Sequence, residues 1–368
     1  MKTVIRMLSA SVIVFGGCIS FTYANDAGIG NALSINFTSL ENAIQHATTG
    51  CGGAVVQTPR PGTQFLDPIG DASSSATSFF AEAARRNVTW QSTMNCTHTN
   101  HRHVLIPSAS NIKNAALTNG VNSLISDNWS GYQIGNTAQY VQTGYIVPTV
   151  VTPSPRYSTT GYDSSTWSGI GGGFGANASP LIQSGSTQKL LTNGTASYYF
   201  WYEIVGGVTD TGSEIQITSP SIHPGNAVAS VVAYIPSLTP NSGSAELSVC
   251  NFTSGGCVQF YVPKTPPPGN TVEWIVEAPA VGGYIQSLAD FDAVNFYSAC
   301  WTAVYVPGGS NTCYPINKPG GSTPLAINLQ QNVLGGKQIL AAPDVLTSTA
   351  SSSSFYDYYL QPEKYPPN

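Results

Sequence analysis

The run Ala227-Val228-Ala229-Ser230-Val231-Val232-Ala233-Tyr234-Ile235 is followed, after Pro240-Asn241-Ser242-Gly243, by an apolar stretch over 245–249. After Ser254-Gly255-Gly256 comes another over 258–262. Short β-branched runs separated by Pro, Asn and Gly are strands joined by antiparallel turns. Working outward, 138–147, 196–204 and 214–217 have the same texture, and the tail from residue 325 adds more, with a polar turn at 351–354 before Phe355-Tyr356-Asp357-Tyr358-Tyr359. Many short strands without helical periodicity predict an all-β fold, a β-sandwich of the jelly-roll, concanavalin-like kind with two antiparallel sheets, over 121–368.

The preceding residues differ. Lys2 and Arg6 precede an apolar run over 7–21, and Thr22-Tyr23-Ala24 supplies a small-x-small cleavage pattern, so 1–24 reads as a signal peptide and the protein as secreted. Phe15-Gly16-Gly17-Cys18 offers the alternative of a lipid anchor through Cys18. No later stretch has the roughly 20 unbroken apolar residues that would span a bilayer. Residues 25–120 hold the one clear helix signal, 75–86, with Phe79, Phe80, Ala83 and Ala84 on one side. They read as a small mixed pro-segment forming a separate unit. Its histidines, His46, His98, His101 and His103, suit a segment that sits on an acidic partner and lets go as pH falls.

Without Cys18, six cysteines remain in an oxidising route. Six allow 15 pairings, and the short spacings favour Cys250–Cys257, Cys300–Cys313 and Cys51–Cys96. The first would cross-link the neck of a hairpin.

Only 8% of residues are charged, against about 25% in an ordinary domain, so each ionisable group needs a local reason. From Ser126 onward 6 Lys and Arg face 13 Asp and Glu, which excludes a basic nucleic-acid footprint. Two of those acids lie in Glu273-Trp274-Ile275-Val276-Glu277, on one face of a strand.

Chemistry narrows by elimination. The β region has one histidine, His223, and no Gly-x-Ser-x-Gly, so serine and cysteine hydrolase mechanisms lack their base. Asp210-Thr211-Gly212 matches one aspartic-peptidase triplet, but a second is missing. Cys96, His98, His101 and His103 crowd into eight residues and read as a polar loop; neither a metal nor a cofactor is implied. Glu273 and Glu277, about 13 Å apart along a strand, are too distant to serve each other as a glycosidase pair, although a carboxylate from another strand, such as Glu203, could partner Glu277.

Five motifs remain, in order: Asn128-Trp129-Ser130-Gly131-Tyr132, Trp167-Ser168-Gly169-Ile170-Gly171-Gly172, Leu181-Ile182-Gln183-Ser184-Gly185, Trp201-Tyr202-Glu203 and Glu273-Trp274-Ile275-Val276-Glu277. Together they resemble the glutamic peptidases, or eqolisins, over about 128–359. The resemblance implies a secreted, acid-active endopeptidase made as a precursor, with Gln183 and Glu277 as the catalytic pair. Glu277 would take a proton from water and return it to the leaving amine, while Gln183 would donate to the oxyanion. A base must be ionised, and a free glutamate titrates near ~4.3, so work at pH ~3 to 4 requires hydrogen-bond donors on that carboxylate. Trp129, Trp167, Trp201 and Tyr202 are candidates to line a substrate groove, with core packing as the alternative, and Glu203 to support it. Gly171 and Ala278 stand where fungal members commonly carry Asp, and the Gly171 form resembles bacterial relatives.

The expected partners are a polypeptide substrate and the chain's own pro-segment, on a monomer. The competing reading is a non-catalytic carbohydrate-binding or adhesive β-sandwich.

Overall fold

The computed structural model describes residues 51–57, 79–103 and, with short breaks, 123–361, together with a few short strands elsewhere. The chain divides into two compact units, Met1–Ala47 and Thr48–Asn368. Of the first, three antiparallel strands are described, Val12–Phe15, Cys18–Phe21 and Leu33–Ile35. The cleavage position expected after Ala24 lies outside the described residues.

The second unit is the expected β-sandwich. Six strands position the site: β1 (Trp129–Gly135), β2 (Tyr162–Ile170), β3 (Leu181–Leu190), β4 (Ala196–Val205), β5 (Ile215–Ile217) and β6 (Thr271–Glu277). They lie in the order β5-β4-β3-β2-β6-β1, every pair antiparallel, and Leu325–Val333 follows β1. The second sheet runs Gly256–Thr265, Gly243–Asn251, Ala227–Pro236, Tyr140–Ile146, Ala293–Thr302 and Phe355–Tyr359, again antiparallel throughout. Gly336–Pro343 pairs with Leu325–Val333 and with Phe355–Tyr359 and so ties the sheets together along one side.

Strand alternation sorts the side chains. Tyr132, Ile134, Ile170, Ile182, Phe200, Tyr202, Ile204, Val272, Trp274 and Val276 face the second sheet and share one core with its Val228, Val232, Leu247, Val249 and Phe260. The residues between them, Trp129, Trp167, Leu181, Trp201 and Ile275, form a separate apolar cluster on the opposite face. The first sheet is therefore buried on both sides. Gly185 keeps the indoles of that outer face seated, because a Cβ there would lie 2.6 Å from Trp167 Cβ.

The three disulfides are those the spacing favoured, Cys51–Cys96, Cys250–Cys257 and Cys300–Cys313. The described residues of the upstream segment from Cys51 on pack within the second unit. Cys96–His98 extends the first sheet beside β5, while Val55–Val56 and Thr89–Trp90 line Gly256–Thr265 of the second. The helix Phe79–Arg85 buries Phe79 and Ala83 against Ala229, Val231 and Phe252. Burying one such phenylalanine contributes about 1.5–3 kcal/mol to docking.

Candidate active site

The register sets out the outer face of the first sheet as a grid. Trp129, Glu277, Ser165, Thr187 and Tyr199 lie in one cross-strand row; Ile275, Trp167, Gly185 and Trp201 form the next; Glu273, Gly169, Gln183 and Glu203 form the third. Gln183 and Glu277 thus share a face, two strands apart and four residues out of register. Trp129, Trp167, Trp201 and Glu203 share it too. Tyr202, between Trp201 and Glu203, turns to the other face and joins the core. Its hydroxyl donates to the Cys51 carbonyl, which removes it from the groove lining.

A strand from upstream lies over the grid. His101 and Arg102 pair antiparallel with Val281 and Ala280, and on the other side Glu214 N–H donates to the His101 carbonyl at 2.9 Å. His101 and His103, two residues apart, both point inward, and both are buried. Arg102 points out to Asp210 at 2.9 Å, a residue whose carboxylate also accepts from Gly206 and Gly212 N–H and closes a turn.

The His103 ring sits between two carboxylates, with Nδ1 2.6 Å from Glu277 Oε2 and Nε2 2.9 Å from Glu214 Oε1. Only an imidazolium donates to both at once. It stacks on Trp201, with centroids 4.0 Å apart and planes at 18°. Burial pulls its pKa down, but Glu277 and Glu214 outweigh burial and hold it up at about 10. His101 is raised to about 9 by Asp163 and Glu214, again against burial. Its Nε2 is 3.2 Å from Asp163 Oδ2 and its Nδ1 2.7 Å from the Tyr199 hydroxyl. Burial raises the Glu214 carboxyl, but the hydrogen bonds from His101 and His103 prevail and leave it below the usual range.

Glu277 is held on both oxygens. Asn128 Nδ2 donates to Oε1 at 3.0 Å, and Trp167 Nε1 donates to Oε2 at 2.9 Å beside the histidine. Gln183 reaches the same place through Glu203, whose Oε2 accepts from His103 N–H at 2.9 Å and, at 3.5 Å, from Gln183 Nε2. Gln183 Oε1 and Glu203 Oε1 are buried and have no partner among the described residues. Burial pushes the Glu203 carboxyl up to about 8, against the pull of His103, so in acid it is neutral and can donate. A carboxylate, a protonated carboxyl and a neutral amide are therefore gathered at His103, with Glu277 on its ring, Glu203 on its backbone N–H and Gln183 behind Glu203.

Sequence reasoning missed Glu214, Asp163, Asn128 and Tyr199 as members of this cluster. Glu214 was legible only as the first residue of a strand, and Asp163-Ser164-Ser165 only as a triplet without the glycine that an aspartic peptidase requires. The signal available was their rarity, since a chain with few charges buries these two.

A family model described as the Peptidase A4 family matches residues 127–332, more than half of the chain. No curated protein matches. Among solved structures, the chain is similar to scytalido-glutamic peptidase with a transition state analog inhibitor. That match has 19% identity and a TM-score of 0.47, and it covers 64% of this chain and 98% of that one. A second structure of the same peptidase, with a peptide-based transition state analog, has 19% identity, the same coverage and a TM-score of 0.41.

Proposed function

The chain belongs to the Peptidase A4 family, and from that premise we propose that it is a secreted, acid-active glutamic endopeptidase made as a precursor, with Glu277 as its base and Gln183 as its oxyanion donor. The observation that carries this reading is the seating of Glu277. Asn128 and Trp167 fix its carboxylate, and the remaining position on Oε2 is taken by His103. When that imidazole leaves, a water in its place meets a fixed base. Glu277 takes the water's proton as oxygen attacks the carbonyl carbon, and Gln183 Nε2 donates to the forming oxyanion. Glu277 then returns the proton to the leaving amine. A neutral Glu203 donating to Gln183 Oε1 would turn the amide nitrogen toward the substrate.

The segment upstream of residue 104 fits a pro-segment. Its disulfide, Cys51–Cys96, is internal, and the other two lie wholly downstream, so one cut between about Arg102 and Ser126 leaves no covalent tie. Two carboxylates around one imidazole also fall inside the ~9.5 Å spacing of a glycosidase pair, but the family is one of peptidases.

The test is to hold the purified full-length chain at pH ~3 with an unfolded protein substrate, near the range in which glutamate titrates. The reading expects loss of the N-terminal segment together with cleavage of the substrate at internal peptide bonds. Loss of the segment without substrate cleavage would overturn it.

A further inference from the structure

The upstream residues are held on the sandwich in two chemically different ways. Beyond its backbone pairing, the strand over the grid is held by charge. His101 faces Asp163, Tyr199 and Glu214, and His103 faces Glu277, Glu214 and, at its backbone N–H, Glu203. Arg102 faces Asp210. Protonation of Glu214 weakens that hold as pH falls.

Residues 51–57 and 79–96 are held by burial and sheet pairing instead. Cys51, Ala54 and Met94 are buried in the core that the two sheets share, in one cluster with Tyr202, Ile215 and Phe260. Phe79 enters the second cluster, and its N–H donates to Gln142 Oε1 at 2.9 Å. The pairing falls on the strand that ends each sheet on one side. Cys96–His98 lies beside β5, and Val55–Val56 and Thr89–Trp90 lie beside Gly256–Thr265. The Cys51–Cys96 disulfide joins these additions. Gly336–Pro343 ties the sheets together along the other side, so the upstream residues close the sandwich here. Few titratable groups take part. Glu82 pairs with Arg85 and Arg86 of its own helix, and Arg86 lies over Phe252. Glu246 of the body accepts from the neutral Gln57 amide at 2.8 Å, and Tyr202, which donates to the Cys51 carbonyl, is neutral in acid. Departure of these residues would turn Ile215, Ile217 and Phe260 toward water and leave two sheet edges without partners.

We propose that the segment carrying residues 51–57 and 79–96 stays on the mature enzyme as a second, non-covalently held chain that closes the sandwich, and that activation clears only the strand 99–103 from the cleft. This rests on the peptidase reading, in which a cut between about Arg102 and Ser126 severs the segment from the catalytic chain and the cleft opens. The severed piece remains docked, because what acid loosens is the ionic strand and not the buried apolar anchor.

The experiment inserts a recognition sequence for an added site-specific protease between residues 104 and 122 of the full-length chain, so that the cut does not depend on the chain's own activity. The cut protein is brought to pH ~3.5, near the range in which glutamate titrates, and separated by gel filtration. The fragment is expected to elute in equimolar amount with the catalytic chain and to part from it only in denaturant. Amides of residues 51–57 and 89–96 should keep their protection from hydrogen exchange at that pH while those of 99–103 lose it. Phe79→Ala should weaken the association on dilution about a hundred-fold or more, and an unchanged association overturns apolar burial as the holding force. Equal protection of 99–103 and 51–57 in an active complex overturns the selective opening. A folded catalytic chain that elutes free of the fragment and cleaves an unfolded substrate overturns this inference and leaves the peptidase reading intact. Absence of substrate cleavage in every fraction overturns the peptidase reading and this inference with it.

Discussion

Replacing His103 by alanine in the unprocessed chain tests the occlusion of Glu277. The substitution removes an imidazolium that bridges two buried carboxylates at 2.6 and 2.9 Å. Removing one partner of a buried pair costs about 3–5 kcal/mol. At ~1.4 kcal/mol per decade, docking of the segment should weaken roughly a hundred- to three-thousand-fold. The effect has a pH window. His103 is raised to about 10 because Glu277 and Glu214 outweigh burial, so its contribution is complete below the ordinary histidine value of about 6.5 and is lost as pH rises through the folded value. Glu214 is held low by the two histidines against burial. Its contribution is present above the ordinary 4.5 and lost as pH falls through the folded value. The clamp is therefore tightest between about pH 4.5 and 6.5, and acid weakens it by protonating Glu214, since the histidines are already charged. The assay is hydrolysis of a quenched fluorescent peptide by the unprocessed chain at pH 5.5, with Tm read beside it. His103→Ala should raise latent activity about a hundred-fold or more and lower Tm, and His103→Gln, which keeps one neutral donor, should fall between. Both differences should shrink at pH ~2. Equal latent activity and equal Tm at pH 5.5 would refute the reasoning.

Asn128→Ala and Trp167→Phe each remove one donor from Glu277. Hydrogen bonds to a charged group are worth about 1.5–3 kcal/mol, so kcat/KM of the acid-activated chain should drop about ten- to a hundred-fold in each, with KM little changed. Replacing Cys250 and Cys257 by serine opens a 7-residue loop and should lower unfolding free energy by about 2 kcal/mol. For Cys300 and Cys313, closing 13 residues, the figure is about 3 kcal/mol; denaturant titration at fixed pH checks both.

What the sequence made legible follows from locality. The hairpins through Ala227–Pro236, Gly243–Asn251 and Gly256–Thr265 are written in neighbouring residues: apolar alternation, turn formers, and a cysteine at each side of one neck. The placing of Trp129, Trp167, Gln183, Glu203 and Glu277 on one face follows from the two-residue period of each strand. The same period turns Tyr202 into the core, because a residue between two that lie on the outer face points the other way. Glu214 and Asp163 were hidden because their role depends on register between distant strands and on a histidine strand 62 to 113 positions upstream. The docking of the upstream segment was hidden for a related reason. Its composition looked independent, and only the exposed edge of β5 and the face of Ala227–Pro236 show where its apolar residues go.

The most direct measurement of the central claim compares the acid-treated wild type with Glu277→Gln, both shown to be folded, on the same unfolded protein at pH ~3. If Glu277 is the base, the wild type cuts and the variant loses a factor of about 10²–10⁴, while both retain the same Tm within a few degrees. A folded Glu277→Gln protein that cuts as fast as the wild type would contradict the mechanism.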